Sequence, residues 1–427
     1  MTGRGLSLTP LGWGVLGGVI AAYAGAVALG YRELGVLAAG GAVALTAGLA
    51  WTLPSPRLRV RREIAPSRVA RGDPAIGVVT VVNTGRRVRG GLRATDTCGH
   101  QTVTVEVPRL PAGGRRTVSY RIPTGRRGEV PVGPLRLSRA DPLGLARRIQ
   151  EYGEAETLIV HPRTYPLPVL PSGRAHHLEG PTSDTAPRGT VTFHALREYV
   201  LGDDLRHIHW RSTARTGTLM VRQLVDASLP RTVIVLDTRP DVYHRLNQAG
   251  AAAGQPEDEG GAGAGRPETD GGTGDQAGNA AFELAVDTAA SVATASALHS
   301  FPVRVITTGG PLLETKGGRG DTGALLDQFA VVNPHDGGSL AGALDTVRRG
   351  RPGGSLVLVT GAADAAELAV ITSVRRRFDR VVLIRAGAGP GAPAAPAGVA
   401  VIDATGPEEL TAGWRREARA RREAASP

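Results

Sequence analysis

The hydrophobic pattern changes character twice along the chain. Leu11 to Tyr31 and Leu34 to Leu53 are apolar and uncharged, and only Arg32 and Glu33 stand between them. At 1.5 Å per residue, ~20 such residues cross the ~30 Å hydrocarbon core of a bilayer. Gly14, Gly17, Gly18 and Ala21 in the first stretch, and Gly40, Gly41 and Ala44 in the second, let two helices pack closely in lipid. The pattern predicts a transmembrane hairpin over 11–53, after a short N-terminus at 1–10. The alternative is a signal peptide with Arg4 as its basic region and cleavage near Ala24 and Ala26. A second full span so close behind the first argues against it.

From Arg57 to Arg163 the period is two. Ile76 to Val82, Gln101 to Val107 and Thr117 to Ile122 alternate apolar and polar residues, with Gly/Pro punctuation at Pro111–Gly114 and Pro131–Pro134. Short alternating strands with regular turns predict an antiparallel β-sandwich over 57–163. From Arg231 the strands become continuous apolar runs: Thr232 to Asp237, ending in a carboxylate, Val303 to Thr307, Ser355 to Thr360, Arg380 to Ile384 and Val399 to Ile402. Helical stretches alternate with them at Phe282–Ser300, Thr322–Ala330, Leu340–Arg349 and Ala363–Phe378. This predicts an α/β domain over 231–405, a mostly parallel sheet with helices on both faces. Residues 247–280, acidic and Gly-rich, predict a disordered insertion, and Gly387–Gly398 a flexible loop. Residues 406–427 predict a basic helix and tail, with Glu417 and Arg421 paired at i,i+4.

Composition narrows the function classes. Of 427 residues only 4% are aromatic, which argues against a base-stacking surface. The net charge of +11 comes almost wholly from arginine, Lys316 being the sole lysine, and is weak evidence for nucleic acid. The single cysteine, Cys98, excludes an intramolecular disulfide framework and a Cys-rich zinc site. Without an activating neighbour it reads as inert. Arg57, Arg59, Arg61, Arg62, Arg68 and Arg71 follow the second span, so the positive-inside rule places both termini and the large soluble part in the cytoplasm. Trp13 and Trp51 then share one interface of the plasma membrane.

The most specific stretch runs from Phe193 to Arg222: Leu196-Arg-Glu-Tyr199, Gly202-Asp-Asp-Leu-Arg206, Ile208-His-Trp210, Ser212-Thr-Ala-Arg215 and a closing strand ending at Arg222. It resembles the signature of the bacterial DUF58 family. Asp141-Pro-Leu-Gly-Leu145 and His161-Pro-Arg163 look like further family elements, and the likeness extends over roughly 57–405. The resemblance implies a von Willebrand factor A-like α/β domain behind a β-domain on a membrane anchor, with a MoxR-type AAA+ ATPase as partner class. It implies no reaction.

Two readings of the signature stay open within the connecting segment 164–230. In one, Asp203 or Asp204 caps a helix, Asp203 pairs with Arg206, and Trp210, Leu205 and Ile208 pack inward as a clamp. In that geometry the helix begins near Asp203 and Trp210 lies two turns on. In the other, Arg206, Arg211 and Arg215 form a docking surface or anion site. Arg197, Tyr199, Gly202 and Arg222 complete the signature in both.

Von Willebrand A domains hold Mg2+ with Asp-x-Ser-x-Ser after the first strand, using hard oxygen ligands. Here the sequence is Asp237-Thr-Arg-Pro-Asp241, a degenerate remnant with Arg239 in a ligand position. The expectation is that Arg239 pairs with Asp237 and that no metal or other cofactor binds. His207 and His209 point opposite ways on a helix, and with His194 they read as surface or network residues. His176 and His177 read as solvated. No nucleophile elbow, phosphate loop or dinucleotide fingerprint occurs in context. The leading expectation is a non-enzymatic, membrane-tethered interaction protein. The alternative is a metal-dependent hydrolase using Asp237, Asp241 and Asp364 where the parallel strands end.

Overall fold

The structure, a computed structural model, describes residues 4–53, 57–86, 88, 90, 92–170, 191–199, 208–226, 231–245, 272–318, 320–350, 354–388 and 396–424. They form two compact units: Met1–Arg163 with Phe329–Val332, and Thr164–Gln328 with Asn333–Pro427.

The first unit opens with strand β1 (Arg4–Leu8) and helices α1 (Pro10–Leu29) and α2 (Arg32–Thr52). Strands follow: β2 (Leu58–Ala65), β3 (Arg68–Ala70), β4 (Ala75–Asn83), β5 (Leu92–Cys98), β6 (Gln101–Val107) and β7 (Arg115–Ile122). The set closes with β8 (Gly128–Val132), β9 (Leu135–Ala140), β10 (Ala146–Tyr152) and β11 (Glu156–His161). One sheet runs β1-β10-β9-β5-β8-β11-β3, with β6 on β5; the other runs β2-β4-β7. Every pairing is antiparallel except β11 with β3. Alternation sends one face of each strand into a common core. Val79 and Val81 of β4 and Ile122 of β7 meet Leu92, Leu135, Leu137 and Leu158 there.

A charged pair is buried against that core. Asp96 is buried at 1% exposure; Arg62 Nη1 lies 3.3 Å from it and the Tyr120 hydroxyl donates to it. Burial and the Asp96 charge push the neighbouring Cys98 thiol up to about 11. Burial, the hydrogen bond to Asp96 and the Asp96 charge raise the Tyr120 phenol.

Helices α1 and α2 are long and apolar enough to cross a membrane. Gly30, at φ +73°, ends α1 and lets the chain reverse within two residues. Both ends of the pair return to the same unit, because β1 precedes α1 and pairs with β10. A hairpin that crosses a bilayer therefore has β1 and β2–β11 on one side.

The Asp141-Pro-Leu-Gly-Leu145 turn seats this hairpin. The Asp141 carboxylate accepts from Leu143 N at 2.9 Å and Ala146 N at 2.6 Å, which folds the turn on itself. Thr9 N donates to Leu145 O at 3.0 Å and Thr9 Oγ1 to Gly144 O at 2.5 Å. A Cβ on Gly12 would collide with Leu145 O, and one on Gly48 would come 3.2 Å from the Asp141 carboxylate. The missing side chains are what admit the turn between the start of α1 and the end of α2.

The second unit holds β12 (Val191–Glu198), α3 (Trp210–Thr216), β13 (Met220–Asp226), β14 (Thr232–Leu236), α4 (Gly272–Leu298), β15 (Val303–Thr307) and β16 (Gly310–Glu314). After these come α5 (Asp321–Ala330), α6 (Leu340–Arg348), β17 (Ser355–Thr360), α7 (Ala365–Arg375), β18 (Arg380–Ala386), β19 (Ala400–Ala404) and α8 (Pro407–Ala424). Six strands form one sheet in the order β16-β15-β14-β17-β18-β19, parallel except for the edge strand β16. Strands β14, β17 and β18 are buried along their whole length, as cover on both faces requires. On one face, Leu340 and Leu344 of α6 and Leu368 and Ile371 of α7 pack against Val233, Val235, Leu356 and Leu358.

One expectation changes. Helix α4 begins at Gly272, so residues 272–280 are helical rather than disordered; residues 247–271 lie outside the described residues. A helix already packed against the sheet extends its own N-terminus at little cost, and Gly278 is buried against the His244 ring. Glu417 pairs with the buried Arg380 at 2.6 Å across the fold; the side chain of Arg421 lies outside the described residues. Helix α8 is also anchored by Trp414, 1% exposed, whose Nε1 donates to Pro168 O at 2.7 Å.

Candidate functional site

Two places merit attention as sites: the corner where β14 and β17 end, and the signature segment.

Strand β14 carries the chain out of the sheet into Asp237, which is fully buried. Its carboxylate accepts from Thr360 Oγ1 at 2.8 Å, from the end of β17. Arg239 closes back on it, with Nε 3.0 Å from Oδ1 and Nη2 2.7 Å from Oδ2. The other arm of Arg239, Nη1, lies 2.6 Å from Glu367. Hydrogen bonds and charge from these two acids raise the guanidinium pKa, against the opposing pull of burial. Beside this corner the hydroxyls of Thr238 and Thr308 meet at 2.9 Å, and Tyr243 donates to Asp237 O at 2.6 Å.

The other carboxylates suggested by sequence stand apart. Asp241 pairs with Arg245 one turn along at 2.5 Å. Asp364 caps α7 in a reciprocal box with Glu367, accepting from Glu367 N at 2.8 Å. A divalent metal does not fit this donor set, because both oxygens of Asp237 are engaged and a fixed cation occupies the ligand position. Among the described residues no group of three or more His, Cys, Asp or Glu side chains is placed to hold a metal. Glu367 was missed as a member of the corner, although Asp364-x-x-Glu367 is legible as a capping box.

The signature forms a two-stranded antiparallel ribbon, β12 with β13, and helix α3. His209 caps α3: its Nδ1 is 2.8 Å from Ser212 Oγ and accepts from Ser212 N at 3.3 Å. Thr213 Oγ1 accepts from Met220 N at 3.0 Å and Tyr199 N donates to Leu219 O at 2.8 Å, so helix and ribbon brace each other. Ile208 is buried, as expected, beside the buried Val221.

Trp210 is not. It is 67% exposed, and it is the first residue of α3 rather than two turns into a helix begun near Asp203. The cap at His209 sets that start and turns the indole outward. Arg211 and Arg215 are exposed on the same short helix. Inward packing of Trp210 is thus corrected. Gly202, Asp203, Asp204, Leu205, Arg206 and His207 lie outside the described residues, as do His176 and His177 and the side chains of His194, Arg197 and Arg222.

The family model described as "Protein of unknown function DUF58" matches residues 195–247. The segment is a DUF58 segment. It spans most of the ribbon, α3, β14 and the Asp237–Arg239 pair, while Thr360 and Glu367 of the corner lie beyond it. No curated protein matches the chain. Among solved structures, the C-terminal domain of wzt is 10% identical, covering 25% of this chain and 74% of that one, with a TM-score of 0.21. The CARDB domain of PF1109 from Pyrococcus furiosus is 12% identical, covering 25% and 97%, with a TM-score of 0.19. Likenesses this distant carry no argument about the DUF58 segment.

Proposed function

We propose that this is a non-enzymatic, membrane-tethered interaction protein that docks an acidic partner through α3. In this reading the second unit is a von Willebrand factor A-like domain and the first a β-sandwich, both held at the cytoplasmic face of the plasma membrane. The partner class that the family resemblance implies is a MoxR-type AAA+ ATPase.

The observation that carries the reading is Trp210, exposed beside Arg211 and Arg215 inside the DUF58 segment. Trp and Arg are the side chains that most often anchor interfaces, and an exposed Trp beside two guanidinium groups suits an acidic surface with an apolar notch. The internal closure of Asp237 by Arg239 and Glu367 supports an interaction role for the neighbouring edge over a reaction there.

Crosslinking in native membranes tests it. Wild-type protein should recover such an ATPase and Trp210→Ala should lose it; failure of the wild type to recover one removes the partner assignment. A cytoplasmic fluorescent reporter at the C-terminus should be active and an exported phosphatase silent. The hydrolase reading has its carboxylates Asp237, Asp241 and Asp364 in three separate interactions. A thermal shift on adding Mg2+ or Mn2+ would favour it.

A further inference from the structure

We infer that helix α8 pairs antiparallel with α8 of a second copy of this chain, crossing it at Ala412, through the charged face that it turns to solvent. This contact is independent of docking through α3.

Leu410, Trp414 and Ala418 are buried and fix the inner side of α8. Glu408, Glu409, Ala412, Arg415, Arg416 and Arg419 are exposed on the outer side. The charges on this face cannot satisfy one another. Glu408 precedes Arg415, and Glu409 precedes Arg416, by almost two turns, or ~10 Å along the axis. Pairing within a helix needs a spacing of three or four residues. Every position at that spacing between the acids and these two arginines is Thr411, Ala412 or Gly413. Arg415 and Arg419, one turn apart, repel. Glu417 faces inward to Arg380. Among the described residues, Glu408, Arg415, Arg416 and Arg419 enter no ion pair.

A second helix running the other way supplies the missing partners. At 3.6 residues per turn, Glu408 and Arg415 lie ~40–60° to one side of Ala412, and Glu409 and Arg416 ~40–60° to the other. When two such helices cross antiparallel at Ala412, like flanks meet and heights invert. Glu408 then stands beside Arg415 of the second copy, and Glu409 beside Arg416 of the second copy, each within ~1.5 Å of the same height. The twofold axis repeats both pairs, as an isologous contact must. Alanine at the crossing lets the helix axes approach to ~8 Å, which keeps these side chains in reach. Glu409 Oε2 accepts from Thr405 N at 2.7 Å and from Thr405 Oγ1 at 2.8 Å, and Oε1 serves the arginine. A parallel pair would set acid against acid and arginine against arginine, so the charge pattern selects the antiparallel one.

The test uses the full chain in native membranes under mild oxidation, read as a disulfide-linked dimer on non-reducing electrophoresis. Cys98 is buried and does not compete. Ala412→Cys should cross-link, because the crossing brings its two copies within disulfide reach. Ala420→Cys, exposed on the same helix, should not, because antiparallel register sets its two copies ~24 Å apart. Equal cross-linking at both positions is what random collision or a parallel pair produces, and it overturns the inference. So does the absence of cross-linking at Ala412→Cys. In the Ala412→Cys chain, Glu408→Arg or Arg415→Glu should lower the dimer fraction about tenfold, since each turns two attractive pairs into repulsive ones. The two reversals together should restore it. Single reversals without effect, or a double reversal that stays low, overturn the pairing.

Discussion

The Asp237–Arg239 pair and helix α3 lie in the same DUF58 segment and are built in opposite ways. At the corner every charged group is committed: Asp237 to Arg239 and Thr360, Arg239 to Glu367 as well. On α3 the large and charged side chains, Trp210, Arg211 and Arg215, face outward. A closed charge network holds a fold together because breaking it strands a charge out of water. Outward aromatic and basic groups add little to the fold and are available to a second molecule. The first unit repeats the closed design at Asp96, held by Arg62 and Tyr120. The contrast separates residues that maintain structure from residues that can act, and each half of it can be broken.

The largest effect is expected at the corner. Asp237→Ala removes one partner of a buried pair and should cost ~3–5 kcal/mol in denaturant unfolding. A loss below ~1 kcal/mol would mean that Arg239 finds solvent and that the corner is not closed.

Next comes Cys98. Its folded pKa of about 11 lies above the ordinary thiol value, so its contribution is complete below that ordinary value and is lost as pH rises toward 11. Stability should fall by ~2 kcal/mol between about pH 9 and 11, and Cys98→Ala should remove that part of the slope. The thiol should also resist alkylation at neutral pH until the chain unfolds.

Glu367→Ala should cost ~1–2 kcal/mol, because it takes both the outer arm of Arg239 and half of the α7 capping box. Glu367→Gln, which can still accept from Asp364 N, should cost less; equal losses would mean that the capping bond contributes nothing, and no loss in Glu367→Gln would mean that the ion pair contributes nothing.

The smallest stability effect belongs to α3. Trp210→Ala should change unfolding by no more than ~0.5 kcal/mol while weakening partner binding by ~2 kcal/mol or more, about thirtyfold. A loss of several kcal/mol in stability would restore the inward-packed clamp and reverse the comparison.

Local pattern carried much of this architecture. Continuous uncharged runs of bilayer length are legible as helices because their length and composition suit that element throughout. The strands of both units are legible because side-chain alternation has period two and doubly covered strands lose their polar face. The Asp237–Arg239 pair was legible too, since two residues apart after a strand leaves a guanidinium within reach of the carboxylate.

What tertiary structure decided has one physical source: long-range partners choose among locally equivalent options. Glu417, near the end of the chain, pairs with Arg380 of β18, a partner that no local spacing announces. Glu367 read as a helix cap and also became the second acid on Arg239. Trp210 read as core by its size, but a histidine cap started the helix at that residue and aimed it outward. Asp141-Pro-Leu-Gly-Leu145 read as a family motif without a task. Only the fold shows it filling the space left by Gly12 and Gly48, because close approach between distant segments leaves no periodic trace in the chain.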